Sequence, residues 1–336
     1  MRAATATAAH TPLTLGDRDV PEPGPGEILV DVTACGVCFS DLNLLLGHYP
    51  FARFPVTPGH EITGVVTAVG DGVTFPETGA AVGAQFLYDS DGHCDYCVRG
   101  DQILCPRKRI TGVSVDGGYA EYVLLKAGYV TPLPAGLDPV AAAPLMCAGL
   151  TAFNGLRQGG ARTGARIAVI GAGGIGALAV RYAVAMGARV AVVGRSPRGR
   201  EQAGALGAEL FVATSESDPA EALKAWGGGA DLILNAAPST EAATATLGGL
   251  APDGTLLLCG YGSEPLVLPT QPMVLNRLHV AASPSGSPHD LRDTLAFSAA
   301  HGILPDITPI TLDEAPSALD AMAAGTAHGR RVIAFS

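Results

Sequence analysis

Residues 166–188 read RIAVIGAGGIGALAVRYAVAMGA. A β-branched run, a loop that fits G-x-G-x-x-G at 171-GAGGIG-176, and an apolar stretch that predicts a helix over 174–187 follow one another without a break. Few folds accept that order. Gly171 permits the tight turn, Gly173 lets the backbone approach a pyrophosphate, and Gly176 lets helix and strand pack closely. The helix N-terminus, with Gly174 and Ile175 in its first turn, then faces the phosphates. The texture continues with a strand at 189–193, a helix at 198–206, and strand candidates at 210–213, 231–236, 255–260 and 278–282. Strand–helix alternation means a parallel sheet with right-handed crossovers. The expectation is an α/β chain whose second half is a doubly wound dinucleotide-binding domain.

The end of the second strand usually selects the cofactor. An NAD site wants an acid there for the ribose hydroxyls. This chain has 193-VGRSPRGRE-201, with no acid before Glu201. Arg195, Arg198 and Arg200 surround Ser196, and guanidinium groups pair with phosphate. NADP(H) is therefore expected over NAD(H).

The first ~150 residues differ. Short strands at 27–37, 62–70 and 119–125 are separated by Gly/Pro turns. The tail predicts helices at 290–302 and 313–325 and a last strand at 330–335. That strand rejoins the β-rich domain in the expected division: residues 1–148 with 287–336 form one discontinuous domain, and 149–286 the other. A net charge of −10 without a basic run argues against nucleic acid. No signal peptide and no membrane span is read, and the seven cysteines suit metal better than disulfides. A cytoplasmic, reduced chain is expected.

The sharpest cysteine signal is 91-DGHCDYCVRGDQILC-105. Cys94, Cys97 and Cys105 supply three thiolates, and tetrahedral zinc needs a fourth ligand. Asp91 continues the x-x spacing. His93 competes, but it adjoins Cys94 and reaches less well. A closed structural zinc is expected. A second set is dispersed: Cys38 in 35-CGVCFSDLN-43, His60 in 58-PGHE-61 and Cys147 in 144-PLMCAGLT-151. These are the right residue types for an open catalytic zinc, although spacing alone does not connect them.

Together, 36-GVCFSD-41, 59-GHEITGVV-66, 94-CDYC-97, 117-GGYAEY-122, 147-CAGLT-151, 171-GAGGIG-176, 195-RS-196 and 283-SPSGS-287 resemble the zinc-dependent medium-chain alcohol dehydrogenases over essentially the whole chain. CAGLT, RS and SPSGS resemble the cinnamyl-alcohol-dehydrogenase-like branch, which typically reduces aldehydes with NADPH. The resemblance implies a β-rich GroES-like catalytic domain with a structural-zinc lobe, joined to a Rossmann domain. It implies two zincs per chain: a catalytic one on Cys38, His60 and Cys147, with Glu61 nearby, and a structural one on Asp91, Cys94, Cys97 and Cys105. Asp91 stands where the family usually has a cysteine. Asp41 would orient the His60 ring, and Ser40 would hold the substrate alcohol proton. Tyr49 and Phe86 fall where the family places substrate-pocket aromatics, and Thr151, Gly260, Ser283 and Ser285 match cofactor-lining positions. A homodimer or homotetramer acting on a small alcohol or aldehyde is implied.

Two positions within 35-CGVCFSDLN-43 also depart from the family. Phe39 stands where His or Arg commonly touches the cofactor, and Asn43 where relatives often carry a proton-relaying His. Asn43 does not titrate, so His48 is the candidate substitute. The departure also motivates a rival reading, an imine, iminium or enone reductase on the same fold. A non-catalytic NADPH-binding zinc protein is the rival of another class.

Overall fold

The computed structural model describes residues 1–262, 264–327 and 329–335. The chain divides into two compact units, Met1–Cys147 with Gly286–Ser336, and Ala148–Ser285.

In the first unit the organising element is the ten-residue strand Glu27–Gly36. Its alternating apolar residues Ile28, Val30 and Val32 are buried in the main core of this unit. It pairs antiparallel with Glu61–Val69, with Arg330–Ala334 and with Tyr122–Lys126. The register decides what happens at its C-terminal end. Gly36 lies opposite Glu61 on one side and Val332 on the other. The residues just beyond these pairs, Cys38, His60 and Arg330, are thereby brought to one end of the sheet, although they are far apart in the chain. The sheet continues through Ala81–Ala84 to Val130–Pro132.

The second unit is a six-stranded parallel sheet. Its order is Leu210–Ala213, Arg189–Gly194, Arg166–Ile170, Ala230–Asn235, Leu250–Leu258, His279–Ala282. Numbered along the chain this is 3-2-1-4-5-6, the doubly wound dinucleotide-binding order. The strand Arg166–Ile170 and its neighbour Ala230–Asn235 flank the point where the order reverses, and the loop 171–176 leaves the sheet there. The sequence did not predict the helices Ala148–Gln158, Pro219–Ala225 and Thr240–Leu247. No single helix among the described residues is long and apolar enough to cross a membrane.

Candidate active site

Cys38 is the extended residue that starts helix Phe39–Leu45. Asp41, one turn in, accepts the Cys38 N–H at 2.9 Å, which fixes the entry to the helix. His60 precedes strand Glu61–Val69, and Cys147 lies between the 3-10 turn Ala143–Met146 and helix Ala148–Gln158. One candidate ligand atom from each of Cys38, His60, Glu61 and Cys147 falls within a mutual 4.8 Å. The Cys38 and Cys147 sulfurs are 3.9 Å apart. Two thiolates on tetrahedral zinc lie about 3.8 Å apart, given Zn–S bonds of ~2.3 Å. His60 donates from Nδ1 to Asp41 Oδ1 at 3.1 Å, while its buried Nε2 has no hydrogen-bond partner among the described residues. A buried, orphaned imidazole nitrogen beside two sulfurs is what a metal ligand looks like, and these residues fit a zinc ion.

The groups of the cluster shift one another. The Cys38 thiol is drawn well below the ordinary thiol range, first by its hydrogen bond with Cys147 and also by the His60 ring. The same hydrogen bond, with burial, pushes Cys147 well up. Burial opposes a charge on His60, but the negative charges of Asp41 and Cys38 outweigh it and raise the ring. Glu61 is fully buried and clamped by Arg330 from the last strand. Burial pushes its carboxyl up to about 8 against the pull of that guanidinium. Sequence reading did not assign Arg330.

Around this cluster, Phe86 meets the His60 ring edge-on with centroids 5.1 Å apart. Tyr49 lies 6.2 Å from Phe86 and 5.5 Å from Phe51, which is half exposed. The three rings form an apolar series from the buried imidazole outward. Ser40 is partly exposed in the first turn of the helix, and Phe39 is half exposed beside it. His48 is not brought to the cluster. It is exposed, and its Nδ1 lies 3.1 Å from Oδ1 of the buried Asn43.

The second group is Asp91, Cys94, Cys97 and Cys105, again within a mutual 4.8 Å. Asp91 Oδ1 accepts the backbone N–H groups of His93 and Cys94, both at 2.9 Å, and Oδ2 accepts Arg107 Nε at 2.9 Å. These bonds hold the carboxyl well below the usual range, the Cys94 amide contributing most. The Cys94 and Cys97 sulfurs are 3.5 Å apart. His93 is outside the group: its side chain is exposed, with Nδ1 against the Asp91 carbonyl and Nε2 near Arg107. The set suits a closed zinc site, with Arg107 sharing the carboxylate.

In the second unit, Gly171 has φ +83°, and a Cβ on Gly176 would sit 1.8 Å from the Gly171 carbonyl oxygen, so neither position accepts a side chain. Gly173 starts helix Gly174–Ala185, and nothing lies within 4 Å of where its Cβ would be. That open space before free helix N–H groups fits a pyrophosphate. Arg195, Ser196 and Arg198 are exposed, and neither Arg195 nor Arg198 has a side-chain partner among the described residues. Arg200 differs from these two: it pairs with Glu216 at 3.0 Å and lies over the Phe211 ring. Thr151 and Ser283 are buried, and Gly260 backs onto the Ala237 carbonyl. Ser285 has φ +87° and a buried hydroxyl with no partner among the described residues, and its carbonyl accepts Asn154 Nδ2 at 2.7 Å, a tie that sequence reading missed.

Comparison with known proteins follows the same division. The alcohol dehydrogenase GroES-like domain family matches residues 24–135, and the zinc-binding dehydrogenase family matches 174–300. An alcohol dehydrogenase of Geobacillus stearothermophilus is 36% identical over 334 residues, 99% of this chain and 98% of that protein. The NADP-dependent alcohol dehydrogenase C of Mycobacterium bovis is also 36% identical, over 99% of this chain and 97% of its own length. Among solved structures, a cinnamyl alcohol dehydrogenase of Sorghum bicolor superposes with a TM-score of 0.91 at 30% identity, covering 99% of this chain and 97% of that one.

Proposed function

The chain belongs to the zinc-dependent medium-chain alcohol dehydrogenases, cinnamyl-alcohol-dehydrogenase-like, and on that premise we propose that it interconverts apolar or aromatic alcohols and aldehydes with NADP(H). The observation that carries this reading is the orphaned His60 Nε2 beside the paired sulfurs of Cys38 and Cys147. Zinc bound by these residues supplies Lewis acidity toward the substrate oxygen, and the nicotinamide supplies or takes the hydride. The protein's own part is positional. Asp41 holds the His60 ring with Nδ1 protonated, leaving Nε2 as the donor. Phe86 and Tyr49 favour an apolar substrate and exclude water from its oxygen. Ser40 holds the alcohol proton. Glu61, with Arg330, provides a compensated carboxylate beside the ligands. A second zinc, on Asp91, Cys94, Cys97 and Cys105, is structural.

Cofactor choice rests on Arg195 and Arg198 flanking Ser196, with no acid at the strand end; the Mycobacterium relative is named NADP-dependent. Arg195→Ala is expected to raise the NADPH Michaelis constant about ten- to a hundredfold, the worth of a charge-assisted bond of roughly 1.5–3 kcal/mol. NADH use should scarcely change. Equal loss with both cofactors, measured beside a metal count and a panel of aldehydes, ketones and imines, overturns the assignment. Uptake of NADPH with imines but not aldehydes would favour the imine-reductase reading.

Asn43 carries no proton-relaying group, so proton release falls to water or to His48, whose Nδ1 lies 3.1 Å from Asn43 Oδ1. Alcohol oxidation is expected to rise toward alkaline pH, and Asn43→His to accelerate it most on the acid side, within the ~10²–10⁴-fold that acid–base assistance supplies. A flat single-turnover profile from about pH 6 to pH 9, unchanged in Asn43→His and His48→Ala, removes both residues from the proton path.

A homodimer accounts for the open edge of the parallel sheet at His279–Ala282, beside which Val274 and Leu275 are exposed.

A further inference from the structure

We propose that Tyr119 is a positioning residue for the catalytic metal centre and acts through Asp41, an inference that rests on the zinc reading above. A carboxylate offers about four acceptor positions on its two oxygens. Asp41 uses them all. Oδ2 accepts the Cys38 N–H at 2.9 Å and the Tyr119 hydroxyl at 3.0 Å. Oδ1 accepts the Gly59 N–H at 3.2 Å and His60 Nδ1 at 3.1 Å. Three of these donors belong to the ligand residues or to the residue next to one. Tyr119 alone comes from a separate segment, 78 residues away in sequence.

That segment is itself fixed. Tyr119 is fully buried, and its N–H donates to the Pro58 carbonyl at 2.9 Å, while Gly118 donates to the Gly59 carbonyl at 2.9 Å. Its carbonyl accepts the Ala4 N–H at 2.8 Å. The ring lies so close over Gly59 that a Cβ there would come within 2.4 Å of Cδ1, and Gly59 has φ +100°. Only glycine fits under the ring, so the turn that carries His60 and the ring that holds Asp41 form one rigid piece. The hydroxyl thus refers the Asp41 carboxylate, and through it the His60 ring plane, to a third part of the domain. Without it, Oδ2 keeps only the Cys38 N–H, and the carboxylate plane that aims His60 Nε2 is set by one fewer fixed donor.

Partners of this kind are worth about 10–100-fold in metal affinity, and Tyr119 stands one bond further back, so about tenfold is expected. The test uses the full chain, zinc alone and a competing chelator. Tyr119→Phe keeps the ring over Gly59 and removes only the hydroxyl. It is expected to weaken zinc at Cys38, His60 and Cys147 about tenfold and to alter the visible spectrum of the cobalt-substituted site. Zinc at the Asp91 group should be unchanged. In the Asp41→Asn background the same substitution should have no further effect, because the route through Asp41 is already lost. Unchanged affinity and spectrum in Tyr119→Phe, or an equal loss in both backgrounds, overturns the proposal. Wild-type protein that takes up no metal at Cys38 instead sinks the zinc reading, whatever Tyr119 does. If Tyr119→Phe does not fold, carbon-13 at tyrosine Cζ in the wild type decides: zinc loading should shift the Tyr119 resonance, and a resonance that stays put overturns the coupling.

Discussion

Cys38→Ala abolishes turnover, by at least about 10³-fold, and leaves the fold standing. Lewis-acid assistance is worth several kcal/mol, and each ~1.4 kcal/mol is tenfold in rate. The substitution removes one of three proposed ligands from a site whose sulfurs are 3.9 Å apart and whose imidazole has no partner for Nε2 among the described residues. The fold should tolerate it. Cys38 is small, its extended backbone suits alanine, and Asp41 still accepts the residue-38 N–H. A loss of about 1 kcal/mol moves the midpoint of a unit of this size by only about 2–4 °C. The checks are steady-state turnover, zinc per chain by metal analysis, thermal midpoint, and NADPH binding by fluorescence. Zinc should fall by one equivalent while NADPH binding, which depends on the loop 171–176, persists. Turnover within tenfold of wild type, with the zinc lost, would mean that the metal does not take part in the reaction.

Sequence reading reached the parts of this molecule that are local. The loop 171-GAGGIG-176 was legible because its glycines, strand and helix are contiguous, and the structure gives the parallel sheet that this order implies. What sequence missed is non-local. Arg330 meets Glu61 across 269 residues, because two strands happen to pair on either side of Gly36. Nothing in 330-RRVIAF-335 announces that register. Tyr119 stood in a quoted motif, yet its hydroxyl's partner is set by packing over Gly59 and not by spacing. Helix Ala148–Gln158 was hidden for another reason. Its glycines weaken the helical signal. Gly155 is nevertheless required, since a Cβ there would lie 2.9 Å from the Cys259 sulfur. Arg200 shows a partner that sequence did not announce: composition grouped it with Arg195 and Arg198, and in the fold it pairs with Glu216.

Cys97→Ala produces the opposite phenotype to Cys38→Ala: a lower thermal midpoint, with the catalytic metal retained. The lobe that holds Asp91, Cys94, Cys97 and Cys105 has little else to hold it together. Its regular structure is a two-stranded pairing of Leu87–Asp89 with Arg109–Ile110, the four-residue helix Asp95–Val98 and the 3-10 turn Gln102–Leu104. Val98 is 76% exposed, Tyr96 and Leu104 are also exposed, and of its buried side chains Tyr88 and Ile110 belong to the main core of the unit, so only a few, such as Leu87 and Ile103, are left to the lobe itself. Small elements of this kind depend on a metal or disulfide, and these cysteines are free thiols. A closed zinc site contributes folding energy directly. Three ion pairs, Asp89–Arg109, Asp91–Arg107 and Arg99–Asp101, remain without the metal, but exposed pairs supply only ~0–1 kcal/mol each. The expected loss is about 3 kcal/mol, which lowers the midpoint by about 6–12 °C. Wild type treated with a strong chelator should show the same shift, and Cys97→Ala should then respond less to chelation than wild type does. Asp91→Cys should tighten the site, because a fourth thiolate replaces a carboxylate that Arg107 shares. Scanning calorimetry with zinc analysis decides the matter. One zinc per chain in the wild type, together with a Cys97→Ala midpoint equal to it, means that the Asp91 lobe folds on its hydrogen bonds alone and holds no metal.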